Sequence, residues 1–150
     1  MSQGIVVDLT PVLDTSAYAD NDVLFVAIEV PQVFKELGGR RALHSIVATD
    51  GDDQNIDFDL VFSNATITLG TINAAVSISD ADAAKIIGYV RISATDDGND
   101  LINSILYAKS GIGLQMQGSL TTCSLWVSGI VRSGTPTFSA SGLKLKLGFL

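Results

Sequence analysis

The chain has 150 residues, of which 47% are hydrophobic and only 17% are charged. This length fits a single domain over residues 1–150 with a core of its own, and the apolar content excludes an intrinsically disordered chain. Nine basic against sixteen acidic residues give a net charge of −7. Such a charge argues against nucleic-acid binding and against anionic membrane surfaces, because both require lysine and arginine.

Alternating apolar and polar residues recur along the whole chain, at the period of two that β-strands show. Residues 56–62 and Leu143–Phe149 each have one apolar face, while Val23–Val30 is nearly all apolar and is predicted to lie centrally, covered on both sides. In chain order, strands are predicted at 5–9, 23–30, 42–49, 56–62, 88–94, 101–108, 112–117, 124–132 and 143–149.

Clusters of aspartate, asparagine, glycine and proline separate these strands at residues 50–53, 96–100 and 133–136. Such residues are favoured in β-turns because they tolerate or pre-set the backbone angles that a turn needs. Many short strands joined in this way indicate an all-β protein, either an antiparallel sandwich or a barrel.

One short helix is predicted over residues 77–88. Ser79 is a candidate N-cap, and Asp82 stands three residues later in the position of a capping box. Gly88 offers a stop at the carboxyl end. The segment is predicted to connect two strands across one end of the sandwich, and a second short turn is predicted over residues 33–37.

Targeting and export signals are not expected. Residues 1–8 have no basic stretch followed by a long apolar run, so no signal peptide is expected. No apolar run approaches the roughly 20 residues that cross a bilayer. Cys123 is the one cysteine, which excludes an internal disulfide and with it a disulfide-stapled secreted scaffold. Synthesis in a reducing cytoplasm is therefore expected.

Residues that carry most enzyme chemistry are scarce. His44 is the only histidine, and the alternation places it on one strand face with Ile46 and Ala48, with no evident acid or nucleophile beside it. Cys123 is expected to be a buried, inert thiol, and structural zinc needs about four cysteine or histidine ligands. We therefore expect neither an enzyme nor a cofactor.

Asp57 and Asp59 are two residues apart in one predicted strand, so their carboxylates share a face. A carboxylate pair of this kind could act as the acid and nucleophile of a glycosidase. Aromatic residues that would hold a sugar are sparse, at 7% of the chain, so we interpret the pair as the solvent-facing side of a sheet.

Two acidic loops are candidate calcium sites. One contains Asp50, Asp52 and Asp53, and the other contains Asp96, Asp97 and Asp100. Carboxylate oxygens are the ligands that Ca²⁺ prefers, but neither loop has the ligand spacing of an EF-hand. Aspartate is also a favoured turn residue, so an ordinary turn is the preferred interpretation and no metal site is assigned.

Four stretches of the chain, taken together and in order, resemble small virion proteins of tailed bacteriophages. They are residues 8–25, 59–62, 78–83 and 134–150, and the similarity spans nearly the whole chain. The family it indicates is that of capsid decoration proteins, also called cement or auxiliary head proteins. This resemblance implies a jelly-roll-like β-sandwich with one short connecting helix, and no catalytic residues.

The resemblance also implies partners and a location. A protein of this kind binds the major capsid protein and clamps neighbouring capsid subunits, often as a homo-oligomer, here a trimer or dimer. It would be made in the host cytoplasm and reside on the capsid surface of the virion. A phage tail or fibre protein, or a carbohydrate-binding β-sandwich, is the alternative function.

Four apolar residues are candidate interface contacts. Ile5, Val6 and Val7 form an apolar N-terminal arm, and Trp126 is the only tryptophan. Strand arms and aromatic side chains often anchor interfaces. The arm is equally expected to be an ordinary first edge strand, and Trp126 is equally expected to belong to the core of its own domain.

Overall fold

Ten β-strands and one turn of α-helix follow one another along residues 4–150, the part of the chain that the computed structural model describes. Their bounds are β1 (Ile5–Leu9), β2 (Val23–Val30), β3 (Arg40–Asp50), β4 (Phe58–Ser63), α1 (Asp80–Ala83), β5 (Ile86–Ile92), β6 (Gly98–Asp100), β7 (Ile105–Lys109), β8 (Leu114–Gln117), β9 (Leu125–Val131) and β10 (Leu143–Phe149). Strands β1, β2 and β10 have the bounds that the sequence predicted.

The strands pair in a nested pattern, in which strands from opposite ends of the chain lie next to each other. The first strand pairs with the last, β2 with β9, β3 with β7 and β8, and β4 with β5, all antiparallel. The result is a six-stranded sheet in the order β1-β10-β3-β7-β6, with β8 also on β3, and a four-stranded sheet in the order β2-β9-β4-β5. This nested pairing over two sheets is a jelly roll, which confirms the predicted fold class.

The main core lies between the two sheets, because one face of each strand carries the apolar residues of the alternation. Phe58 of β4 and Tyr107 of β7 meet across it edge to face, with ring centroids 5.4 Å apart. Fully buried residues from both sheets surround this pair, among them Phe25, Leu43, Ile46, Leu60, Phe62, Ile92, Leu125, Leu147 and Phe149.

A second, smaller core lies on the outer face of the four-stranded sheet. Residues 64–79, between β4 and β5, pack Ile67 and Leu69 against Val23, Val61 and Ile130. The four-stranded sheet is therefore apolar on both faces in this region. No helix within residues 4–150 is long and apolar enough to cross a membrane.

The predicted central position of Val23–Val30 is wrong, since β2 is an edge strand of its sheet. Val23 is covered on both sides, but Val26 is 52% exposed. The pairing with β9 shifts register on either side of Phe25, and these irregularities bend the strand away from regular alternation.

The helix is shorter than predicted. The N-cap is confirmed, because the Ser79 hydroxyl accepts a hydrogen bond from the Asp82 N–H at 3.2 Å. The helix ends at Ala83, and Gly88 lies inside β5 rather than at a helix stop. A Cβ at Gly88 would come within 2.8 Å of Cδ2 of Leu114, so this glycine allows β5 to approach β8. The second predicted turn is displaced toward its end: residues 34–36 form bends, and the chain turns at Leu37 and Gly38, where the Gly39 N–H donates to the Glu36 carbonyl at 3.0 Å.

A strand appears where only a turn was predicted. Residues 98–100 form β6, which pairs with β7, while the predicted strand at 101–108 begins only at Ile105. The turn of this hairpin is residues 101–104. A Cβ at Gly98 would lie 2.5 Å from the carbonyl oxygen of Ala94, so the glycine is needed for the preceding loop to close rather than for a turn of its own.

Candidate functional site

The first strand forms an open edge of the six-stranded sheet. β1 pairs with β10 on one side, from Ile5 opposite Phe149 to Leu9 opposite Leu145, and no strand within residues 4–150 pairs with its other side. Val7 packs against the main core but remains only half-buried, and Val6 on the opposite face is 70% exposed. The arm is thus an edge strand with unpaired backbone groups.

The second strand is the edge of the facing sheet on the same flank. β5, at the other end of the four-stranded sheet, contacts β8, so β2 lies on the side where β1 lies. The start of β2 is covered, because Val23 exchanges backbone hydrogen bonds with Asn73 and Ala74 at 2.9 Å each. Further along β2, Val26 is exposed. One flank of the sandwich therefore presents two strand edges.

Trp126 is not part of this flank. It lies on β9, opposite Glu29 and Ser63, and points to the outer face of the four-stranded sheet, away from the six-stranded sheet that contains β1. The side chain is half-buried, so it belongs neither to the buried core nor to the exposed apolar surface. The structure thus brings Ile5, Val6 and Val7 together and leaves Trp126 apart from them.

In the first acidic loop the Asp50 carboxylate organises the backbone. It is 1% exposed, and it accepts hydrogen bonds from the N–H groups of Asp52, Gln54 and Asn55 at 2.9, 2.7 and 3.1 Å. Burial raises the pKa of Asp50 above its usual value, against the lowering effect of these three bonds. Asp52 holds the loop to Ser139, whose N–H donates to its carboxylate at 2.8 Å.

In the second acidic loop two of the three carboxylates are also tied to the backbone. Asp97 accepts from the Ser93 N–H at 2.8 Å, and Asp100 accepts from the Ile102 N–H at 2.7 Å. Within residues 4–150 no three histidine, cysteine, aspartate or glutamate side chains group around a point that could hold a metal ion. Asp53 and Asp96 therefore do not join their neighbours in a ligand cluster, and the geometry is that of turns.

The calcium hypothesis has a direct test. Because the oxygens of Asp50, Asp97 and Asp100 already accept backbone hydrogen bonds, we expect EDTA to leave the melting temperature unchanged, as followed by circular dichroism. A fall on chelation that added Ca²⁺ reverses, but added Mg²⁺ does not, would instead establish a calcium site.

His44 and Cys123 lie at different sheets of the sandwich, His44 on β3 and Cys123 just before β9. His44 is exposed and is the extra residue of a β-bulge, since Ser45 pairs with Gly148 while Leu43 pairs with Phe149. The predicted face shared with Ile46 is wrong, because the bulge reverses the alternation at this point. Cys123 is partly buried against the main core.

Asp59 forms ion pairs with two arginines, and the prediction that it faces solvent is wrong. It is 2% exposed on the outer face of the four-stranded sheet. Arg91 of β5 donates from Nε and Nη2 to its two oxygens at 2.7 and 3.1 Å, and Arg132 donates from Nε at 2.7 Å. The Asp57 carboxylate does not join these ion pairs and accepts a hydrogen bond from the Ala94 N–H at 2.7 Å.

The two arginines control the ionisation of Asp59. Burial by itself would raise the pKa of this carboxyl, but the hydrogen bonds from Arg91 and Arg132 outweigh burial and hold the pKa below its usual value. Asp59 is thus a fixed carboxylate rather than a general acid. Sequence reasoning missed it because the partners lie 32 and 73 residues away.

Comparison with known proteins adds little to what the strand order shows about the fold. No protein-family model matches the chain, and no curated protein matches it. Among solved structures, a chain from Desmodium yellow mottle tymovirus is similar over 98% of this chain and 79% of that chain, with 11% sequence identity and a TM-score of 0.30. A likeness at that TM-score carries no conclusion, and the resemblance to phage virion proteins stays a prediction.

Proposed function

We propose that this protein is a structural component of a virion, a decoration or cement protein that binds the major capsid protein of a phage head and stabilises the shell. The observation that carries the proposal is the open flank formed by β1 and β2. A rigid two-sheet domain with free strand edges can add a strand from a neighbour to either edge, which joins subunits without any chemical step.

The β1 edge has the properties of a contact surface. Its free backbone groups are available to pair with a strand of another protein, and exposed Val6 adds apolar area beside them. Half-buried Ile5 and Val7 would become fully buried when another strand covers the flank. Stable protein contacts bury roughly 800 Å² on each partner, which one strand edge and its flanking side chains begin to supply.

A second exposed apolar feature lies at the tip of the β6–β7 hairpin. Ile102 is 81% exposed, and its neighbour Leu101 is 51% exposed. Ile102 also has a φ of 78°, a backbone conformation that β-branched residues rarely adopt and that glycine or asparagine would occupy with less strain. An apolar residue held in that conformation at an exposed tip is suited to contact a partner, and we include the tip in the proposed capsid-binding surface.

The proposal predicts that Val6→Lys weakens attachment to the capsid. Lysine on an edge strand keeps its charge in solvent and opposes strand addition. Because Val6 is exposed, the substitution should leave the fold unchanged. When purified protein is mixed with empty heads of its phage and the heads are pelleted, wild type should sediment with them and raise their heat resistance. Val6→Lys should bind more than about tenfold more weakly.

Val12→Lys is the matched control, since Val12 is 74% exposed and lies outside the strands. It should sediment as wild type does. If wild type stays in the supernatant and the heads gain no heat resistance, the decoration function fails. If wild type binds and both variants bind equally well, the function survives but the β1 edge is not the contact. Light scattering after size-exclusion chromatography would show whether Val6→Lys also dissociates a homo-oligomer.

A further inference from the structure

A groove on the outer face of the four-stranded sheet lies beside the Asp59 ion pairs. Its volume is about 230 Å³, and its lining is Asp59, Val61, Ile86, Tyr89, Arg91, Ile130 and Arg132. Tyr89 lines the groove and is 63% exposed, so its ring is accessible to a ligand. The three aliphatic residues form an apolar floor. Drug-sized ligands need larger pockets, and this groove is of the scale of a single ring or side chain.

The arginines present unused donors to this groove. Arg91 uses Nε and Nη2, and Arg132 uses Nε and Nη1, the latter toward Asn21. Nη1 of Arg91 and Nη2 of Arg132 therefore make no hydrogen bond to any residue among 4–150. The two guanidiniums share the buried Asp59 carboxylate, which fixes their orientation and leaves one of the two positive charges without a direct ion pair of its own. Asp57 interacts with Arg91 through its charge only.

Rigid, positively charged donors favour a planar anion such as a carboxylate. Tyr89 and Arg91 are two residues apart on one strand face, which separates them by about 7 Å. A pyranose ring stacked on the tyrosine can therefore place a ring carboxylate at the guanidiniums.

A peptide fits the groove less well than a sugar does. The floor is a sheet face, and the backbone groups of β4 are already paired with β5 and β9. A peptide backbone would find no free strand edge on β4 to pair with, whereas a sugar needs only side-chain donors and an aromatic surface. We propose that the groove binds one acidic pyranose, a hexuronate residue, with its ring on Tyr89 and its carboxylate between Arg91 and Arg132.

The test is an NMR titration that follows the methyl groups of Val61, Ile86 and Ile130, which line the groove. The probes are glucuronate, glucose, acetate and triglutamate. We expect saturable shifts with glucuronate and at least about tenfold weaker binding of the other three. Glucose lacks the carboxylate, acetate lacks the ring, and triglutamate has carboxylates but no pyranose ring to stack on Tyr89.

Two pairs of variants separate binding from folding. Tyr89→Ala and Arg91→Lys should each weaken glucuronate binding by roughly tenfold, while Tyr89→Phe, which keeps the ring, and Lys146→Arg, on a different sheet, should leave it unchanged. Melting curves check that all four fold. The proposal is overturned if glucuronate gives no saturable shift, if acetate or glucose binds as tightly, or if triglutamate binds more tightly, which would make the groove a site for acidic peptides.

Discussion

Asp59→Asn is expected to lower the free energy of unfolding by about 3 kcal/mol, because it removes the charge that Arg91 and Arg132 share. The asparagine has nearly the same shape, so no cavity forms, but its amide group brings a donor against guanidinium donors. The exposure of Arg91 limits the loss, since its freed guanidinium can be solvated. For a chain of this size the change corresponds to a fall of about 6–12 °C in melting temperature.

Asp8→Asn is the matched control for this substitution. Asp8 also pairs with a cation, Lys146 at 3.2 Å, but both side chains are mostly exposed. Exposed pairs of this kind contribute about 0–1 kcal/mol, so Asp8→Asn should leave the denaturant midpoint nearly unchanged. Equal losses for the two variants would show that the cluster around Asp59 contributes no more than an ordinary surface pair.

The contribution of Asp59 should also depend on pH in a defined direction. Because the pKa of Asp59 is lower in the folded protein than in the unfolded chain, its stabilisation is fully present above the unfolded value of about 4. It is lost as the pH falls through the lower folded pKa. The difference in unfolding free energy between wild type and Asp59→Asn should therefore be constant from pH 7 to about 5 and shrink in stronger acid, as urea titrations at each pH would measure.

Gly129→Ala is expected to destabilise the protein by about 2–3 kcal/mol through overpacking. Gly129 on β9 pairs with Phe25 on β2, and the phenylalanine ring lies over the position that a side chain would occupy. An added Cβ would lie 2.7 Å from Cδ1 and 3.0 Å from Cζ of that ring. Phe25 is 1% exposed, so the ring has no free space into which it can move.

Gly51→Ala is the control, because a Cβ there would meet only the carbonyl oxygen of Gly142 at an ordinary 3.5 Å. Its effect on the midpoint of urea unfolding should stay within about 0.5 kcal/mol. Replacing the Phe25 ring with the smaller leucine side chain should recover part of the stability lost in Gly129→Ala. A double-mutant cycle measures that coupling. Purely additive effects would contradict the proposed clash.

Elements whose signal is local could be predicted well. The bounds of β1 and β10 follow from alternation and those of β2 from its continuous apolar run, while the Ser79 cap follows from the preference for serine at a helix N-terminus. Errors occurred where contacts override the local pattern. Gly98 has turn chemistry yet lies in β6, because β7 offers it a partner strand.

The candidate surfaces divide in the same way. Ile5, Val6 and Val7 could be chosen as a group from their apolar run, but their position at a sheet edge depends on which strand pairs with β1. The role of Asp59 could not be predicted, since one polar residue in an alternating strand reads as solvent-facing. Only the strand register brings Arg91 beside it.

By itself, then, the sequence determined an all-β domain of short antiparallel strands, with one capped helical turn and acidic turns between strands. Tertiary structure alone decided the nested pairing, the open flank of β1 and β2, and the ion pairs of Asp59. The physical reason is that alternation records which face of a strand is buried, whereas pairing depends on hydrogen bonds between residues far apart in the chain. The partner of β1, for example, is the last strand, 138 residues away for the pair Asp8 and Lys146.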